Sequence, residues 1–215
     1  MEEIKITGMS DSQADLAYKS LERMIVTLVL EPGMVVNERS LIEATGMGRT
    51  PVREAIQRLA WEGFFEIRPR SGIAVTALEP QDFARVIDAR EGLEVLLARD
   101  AARYAGAPDF ERMKLASKQL KESVEINDAF LFLDADKIFD ENLGRSAGNV
   151  FAARVVAPLQ THSRRFWYRL HRGQDAIRRS AAAHIELIDS IMSGDSDIAG
   201  NKARELMHYL REMMA

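Results

Sequence analysis

Apolar residues recur at helical spacing along most of this 215-residue chain, and a single short stretch breaks the pattern. Phe64 to Ile67 and Ile73 to Thr76 read as two short strands. Between them, Arg68-Pro69-Arg70-Ser71-Gly72 has the Pro and Gly that favour a reversal. Everything ahead of this hairpin reads as helix. Residues 12–30 carry apolar groups on adjoining faces (Leu16, Met24 and Leu28 on one, Leu21, Ile25 and Leu28 on the other), and Glu31-Pro32-Gly33 stops them. Asn37 suits the N-cap of a short helix over 38–45, and Thr45-Gly46-Met47-Gly48 makes a tight turn. A third helix opens at Thr50-Pro51. Thr50 can cap it, and the missing N–H of Pro51 has no helical partner in a first turn. Val52, Ile56, Leu59 and Ala60 face inward, and Gly63 ends the helix.

Leu78-Glu79-Pro80 reads as a linker, giving domains over 1–78 and 79–215. Beyond it there is no convincing strand. Helices are expected near 81–105, 109–126, 128–146, 149–171, 174–193 and 196–213. They are separated by Gly106-Ala107-Pro108, Ile126-Asn127, Ala147-Gly148-Asn149, Gly173 and Ser193-Gly194-Asp195. The fold class is mainly α: a winged helix-turn-helix of three helices and a two-stranded wing, followed by an all-α bundle. With no cysteine, disulfides and thiolate metal sites are excluded. No apolar run approaches the ~18 residues that span a bilayer. The acidic start, Met1-Glu2-Glu3, has no signal-peptide pattern. The expectation is a cytoplasmic protein with no membrane partner.

The net charge of −4 is unevenly spread. Between Arg49 and Gly72, five arginines stand against three glutamates, so this segment carries +2 and the remainder −6. A basic patch on an acidic body fits a small DNA-reading surface. In a helix-turn-helix the second helix presents its first residues to the major groove. Here those residues are Arg49, Thr50 and Arg53. Arg49 and Arg53 are one turn apart, and arginine pairs in bidentate fashion with guanine. Arg70 and Gly72 at the wing tip suit a phosphate strand or the minor groove. Spacing alone leaves open an ordinary scaffold with arginines on a solvated face.

The run Asn37-Glu38-Arg39-Ser40-Leu41, then Gly48-Arg49-Thr50-Pro51-Val52-Arg53-Glu54-Ala55-Ile56-Gln57-Arg58-Leu59, Glu62-Gly63 and Arg70-Ser71-Gly72 resembles the GntR family of winged-helix repressors across residues 12–77. The resemblance implies operator contacts by Arg39, Arg49, Thr50, Arg53 and Gly72. Gly48 departs from the family's usual Ser or Thr and removes one hydroxyl contact.

The rest of the chain, about 80–213, is similar to the FCD ligand-binding domain of the FadR-like subgroup. The matching residues are Arg90 and Glu94, Asp136 with Phe139 and Asp140, Ser146-Ala147-Gly148-Asn149, His184 and His208. Many members hold a divalent metal with one Asp and three His. The positions implied here are Asp136, Asp140, His184 and His208, with Asp140 replacing a His. Asp136 and Asp140 share a helix face at i and i+4. His184 and His208 lie about equally far from the turn at 194–197, so an antiparallel hairpin brings them level. Such a set suits Zn, Ni, Mn or Fe, with the extra carboxylate shifting preference toward Mn or Mg.

Arg90 is the candidate anchor for a small carboxylate effector, with a salt bridge to Glu94 as the competing role. His162 lies within reach of a helical cavity. Arg164, Arg165, Arg169 and His171 are expected at the surface, Trp167 and Tyr168 in packing, and Asn149 as an N-cap. The combined expectation is a homodimeric repressor, not an enzyme, that binds double-stranded operator DNA and responds to an organic acid. The alternatives are a metal-dependent enzyme using Asp136, Asp140, His184 and His208, and a purely structural helical assembly.

Overall fold

The computed structural model describes residues 11–171 and 173–213; the Met1-Glu2-Glu3 start lies outside them. The chain divides into two compact units, Met1–Leu78 and Glu79–Ala215.

The first unit runs α1 (Gln13–Val26), β1 (Val35–Val36), α2 (Glu38–Thr45), α3 (Arg49–Trp61), β2 (Phe65–Arg68) and β3 (Gly72–Val75). Ser12 and Asp15 form a reciprocal capping box that starts α1. The helix ends at Val26, not at residue 30. Leu28 turns to a left-handed φ of 59°, and Leu30 folds back to donate its N–H to the Met24 carbonyl. That reversal delivers Leu30 to the core beside Leu21, Ile25, Leu41, Val52, Ile56, Leu59, Phe64 and Val75, so burial of one more apolar side chain outweighs another turn of helix. Asn37 caps α2 by accepting from the Ser40 N–H at 2.9 Å. α3 begins one residue before Thr50. Its N-cap is Gly48, which has no side chain to offer, and Thr50 lies inside the first turn.

The sheet has three strands in the order β1-β3-β2, all antiparallel, one more than the two-stranded wing expected. Val35 and Val36 are too few to show an alternating pattern, and only their pairing with Ala74 and Ile73 makes them a strand. This pairing fixes Gly72. A Cβ there would lie 2.7 Å from the Val36 carbonyl oxygen, on a backbone at φ 97°. The close approach that Gly72 permits is therefore to the protein's own first strand.

Among its described residues the second unit has helices as its regular structure: α4 (Pro80–Tyr104), α5 (Ala107–Glu125), α6 (Ala129–Ser146), α7 (Val150–Leu170), α8 (Gly173–Met192) and α9 (Ser196–Glu212). Asp128, Asn149 and Asp195 cap α6, α7 and α9 with their side chains. α4 packs against α7 and α9, and α5 against α6 and α8. Phe83, Ile87, Leu97, Met113, Leu120, Phe139, Leu143 and Ile188 are almost wholly buried between them. Polar residues taken into this core form a second site.

Candidate nucleic-acid interface and polar core

α2, the Gly46 turn and α3 place a row of basic residues outward. Gly46 closes α2 in the left-handed conformation, which costs glycine nothing. Val52, Ala55, Ile56 and Leu59 hold one face of α3 in the core, leaving Arg49, Thr50 and Arg53 exposed at its start. One carboxylate organises both arginines. Glu38 accepts from Arg49 Nε at 2.7 Å through Oε1, and its Oε2 lies 3.3 Å from Arg53 Nε. Arg39 is exposed on α2 and pairs with Glu43 at 2.8 Å. The sequence reading did not assign Glu38 this position. Its placement three residues before the α2 core residue Leu41, at the helix start, was the available signal.

At the wing tip, Ser71 donates to the Arg68 carbonyl, closing a turn with Pro69 and Arg70 at its centre. Arg70 sits at φ 67°, where a side-chain-bearing residue costs about 1–2 kcal/mol and glycine would not. The exposed guanidinium is thus held at a position that backbone energetics alone would give to glycine.

α3 is braced from behind. The Tyr18 hydroxyl donates to Glu62 Oε2 at 2.6 Å, Arg58 Nε donates to Glu62 Oε1 at 3.0 Å, and the Arg58 guanidinium lies 3.7 Å from the Tyr18 ring centroid. These contacts tie the end of the helix to α1, far from the Arg49 end.

The polar core of the second unit gathers Arg90 and Glu94 from α4, Asp136 and Asp140 from α6, Arg164 from α7 and His184 from α8. All six are at most 7% exposed. Arg90 donates through Nε and Nη2 to Glu94 Oε1, at 3.1 and 2.8 Å, and Gln160 Nε2 donates to the same oxygen at 3.0 Å. Arg90 thus takes the intramolecular role foreseen as the competitor to effector binding. Arg164 Nη1 lies between the α6 carboxylates, 3.2 Å from Asp136 Oδ2 and 2.5 Å from Asp140 Oδ2, while its Nη2 donates to Thr161 Oγ1 at 2.9 Å.

His184 Nε2 is 2.7 Å from Asp136 Oδ1, and its Nδ1 is 2.7 Å from the Ser180 carbonyl oxygen, which can only accept. With Asp136 ionised, both ring nitrogens carry a proton. Burial works against that charge, but the hydrogen bond and charge of Asp136 outweigh it and raise His184 above its ordinary value. Burial likewise opposes ionisation of Asp136, yet His184 and then Arg164 bring it down to about 2. Asp140 goes the other way. Burial, then the neighbouring Asp136 charge, push it to about 7 against the pull of Arg164. Three basic groups and three carboxyl groups are thus held together inside the domain, with Asp140 the carboxyl whose proton is hardest to remove.

The four-ligand metal set expected from the sequence is not assembled. Asp136, Asp140 and His184 come together, but His208 points away, 71% exposed and 3.1 Å from Glu212. α9 buries Ala199, Ala203, Leu206, Met207 and Leu210. His208 falls on the opposite face with exposed Asn201, Arg204 and Arg211, so being level with His184 along the hairpin does not make it converge. Among the described residues, no three His, Asp or Glu side chains are placed to hold a metal ion. The residues also fail a chemical test, since the space both carboxylates face is filled by the Arg164 guanidinium. The metal-enzyme alternative, which needs the same four side chains, loses its geometry with them.

Two of the arginines expected at the surface are interior. Arg164 is 7% exposed and Arg165 fully buried, and burial lowers Arg165 to about 10. Arg169 is exposed, and His171 is half-buried with its ring stacked on Trp167 at 4.8 Å. Trp167 packs on Phe132 at 4.2 Å and donates to Ser180 Oγ at 2.8 Å. The signal for Arg164 was its spacing. It follows buried Gln160 by four residues and precedes Trp167 by three, which puts it on the inward stripe. Beside this cluster is a cavity of only ≈ 10 Å³, lined by Arg90, Asp136, Arg164, Trp167 and His184 among others. That is room for about one water, and His162 does not border it.

Comparison with known proteins agrees with both units. Residues 13–75 match the family described as bacterial regulatory proteins, gntR family, and residues 85–209 match the FCD domain. The chain is 31% identical over 195 residues to an HTH-type transcriptional regulator in an unstable DNA locus of Streptomyces ambofaciens, covering 87% of this chain and 78% of that protein. It is 28% identical over 196 residues to the transcriptional repressor RspR of Escherichia coli K12, covering 91% and 85% of the two chains. Its fold is similar to that of E. coli McbR/YncC, with a TM-score of 0.82 at 17% identity over 95% of this chain and 98% of the other. The chain belongs to the GntR family of bacterial DNA-binding transcriptional regulators, with an FCD domain as its helical part.

Proposed function

We propose that this regulator is a homodimeric repressor whose operator affinity is set by a small organic acid acting on the helical domain. The observation carrying the DNA-reading half is the exposed cluster Arg49, Thr50 and Arg53 at the start of α3, with Arg39 on α2 and Arg70 on the wing. A second recognition helix about one DNA turn away, supplied by a partner copy, would read a palindromic site. Phe151 and Val155 on α7 support pairing of copies. They are 78% and 59% exposed, one turn apart, with Val150 beside them.

The effector reading rests on the buried charges. A ligand carboxylate reaches Arg90 by displacing Glu94, and it needs far more room than the ≈ 10 Å³ cavity. Binding is therefore coupled to opening of the helices, which gives the effector a differential affinity for two states.

Fluorescence anisotropy tests the reading. The full chain should bind a duplex selected by the wild type from a random pool far more tightly than a scrambled duplex, with affinity falling steeply as salt rises. Equal affinity for both duplexes sinks it. Phe151→Glu with Val155→Glu should shift the species seen by light scattering from dimer toward monomer and weaken binding to the selected duplex.

A further inference from the structure

We propose that the Arg164 guanidinium is the resident cation of the helical domain, occupying the place between Asp136 and Asp140 where a divalent metal was expected from the sequence. The inference rests on the geometry of this unit alone, so it stands or falls independently of DNA binding.

A carboxylate pair on one helix face, buried to at most 7% exposure, needs a positive partner. A single nitrogen, Arg164 Nη1, meets an oxygen of each carboxylate at 3.2 and 2.5 Å. The other face of the pair is served by His184, which reaches Asp136 Oδ1 at 2.7 Å and is itself held by the Ser180 carbonyl. The guanidinium is anchored as well, through Nη2 to Thr161 Oγ1 at 2.9 Å. Arginine suits this place because it stays charged when buried and offers donors in a fixed plane. A metal ion at the same point would have to displace a tethered guanidinium, and the side chain that should complete its coordination, His208, is on the outer face of α9. The chain thus carries its own permanent cation, and the domain should be indifferent to metal supply.

Metal analysis and thermal unfolding of the full-length protein test this. Wild type purified without chelator should contain far less than one equivalent of transition metal, and EDTA, Mn²⁺ or Zn²⁺ should leave its Tm in place. Arg164→Met removes the charge at similar size and should lower Tm by on the order of 10 °C, because Asp140 loses its cation and Asp136 is left with His184 alone. Arg164→Lys keeps the charge and should lose less than half as much. In Arg164→Ala, where the space is vacated, Mn²⁺ or Zn²⁺ should raise Tm, and EDTA should reverse the rise. The proposal is overturned by stoichiometric metal in the wild type whose removal lowers Tm. It is equally overturned by an Arg164→Met variant as stable as Arg164→Lys, or by an Arg164→Ala variant that gains nothing from either metal. The wild-type and lysine arms decide the matter even if the smaller variants fail to fold.

Discussion

Replacing Arg53 with alanine separates reading of bases from simple attraction to DNA. In the free protein the Arg53 side chain is 60% exposed and lies 3.3 Å from Glu38. An exposed pair of this kind contributes about 0.2–1 kcal/mol, and that is lost when the guanidinium turns to DNA. A bidentate arginine–guanine contact contributes about 1–3 kcal/mol. Taking the middle of each range, the net loss on Arg53→Ala is about 1–2 kcal/mol per recognition helix. On a two-fold operator it doubles to about 2–4 kcal/mol, a weakening of roughly 30- to 900-fold. A scrambled duplex should feel only the missing charge, so its affinity should fall much less. Fluorescence anisotropy on the selected and scrambled duplexes at several salt concentrations measures both. Glu38→Ala is the companion variant. It removes a negative charge facing DNA and frees both Arg49 and Arg53, so scrambled affinity should rise while the ratio of selected to scrambled affinity falls. If Arg53→Ala weakens both duplexes by the same factor and lowers the salt slope by about one per recognition helix, about two on the two-fold operator, Arg53 touches phosphate and the base-reading assignment fails. If neither affinity changes, α3 is not the recognition helix.

Three further outcomes follow from other contacts. Arg70→Gly should leave Tm unchanged or raise it by relieving the φ 67° backbone, yet weaken binding to the selected duplex; lower stability would show that Arg70 is held there by packing. Tyr18→Phe removes the 2.6 Å hydrogen bond to Glu62 and should cost about 1–3 kcal/mol in urea denaturation of the first unit, with the Arg58–Glu62 pair left in place. Asp136, lowered to about 2 in the folded protein, contributes stability that is complete above its ordinary value of 3.8 and is lost as pH falls toward 2. The gap in stability between wild type and Asp136→Asn should therefore narrow across that acid window, and a gap that stays constant would show that Asp136 does not titrate there.

The helix pattern was legible because it depends on local spacing and on breakers. Asn37 and Asn149 were read as N-caps and act as N-caps. What escaped the sequence depends on partners far along the chain. β1 is two valines whose only distinguishing property is the strand forty residues later. α1 stops at Val26 because Leu30 has a core to enter, and nothing within residues 12–30 announces that core.

The polar site shows why charge type alone misplaces residues. Sequence reasoning sent Arg164 to the surface; a charged side chain is rarely buried without a partner, and the partners of Arg164 lie 24 and 28 residues away on another helix. It brought His208 inward on the resemblance to the FCD domain, with the support that two histidines equidistant from a turn come level in a hairpin. Level is a statement about height along the helices, whereas coordination also requires the right rotation about each axis. On α9 the buried stripe passes through Met207 and Leu210, so His208, one residue on from Met207, is turned by about 100° toward solvent. Both errors have one source, the phase of a helix relative to its neighbours. Applied to the buried stripe of α7, the same phase test places Arg164 inside the bundle, facing the two carboxylates of α6.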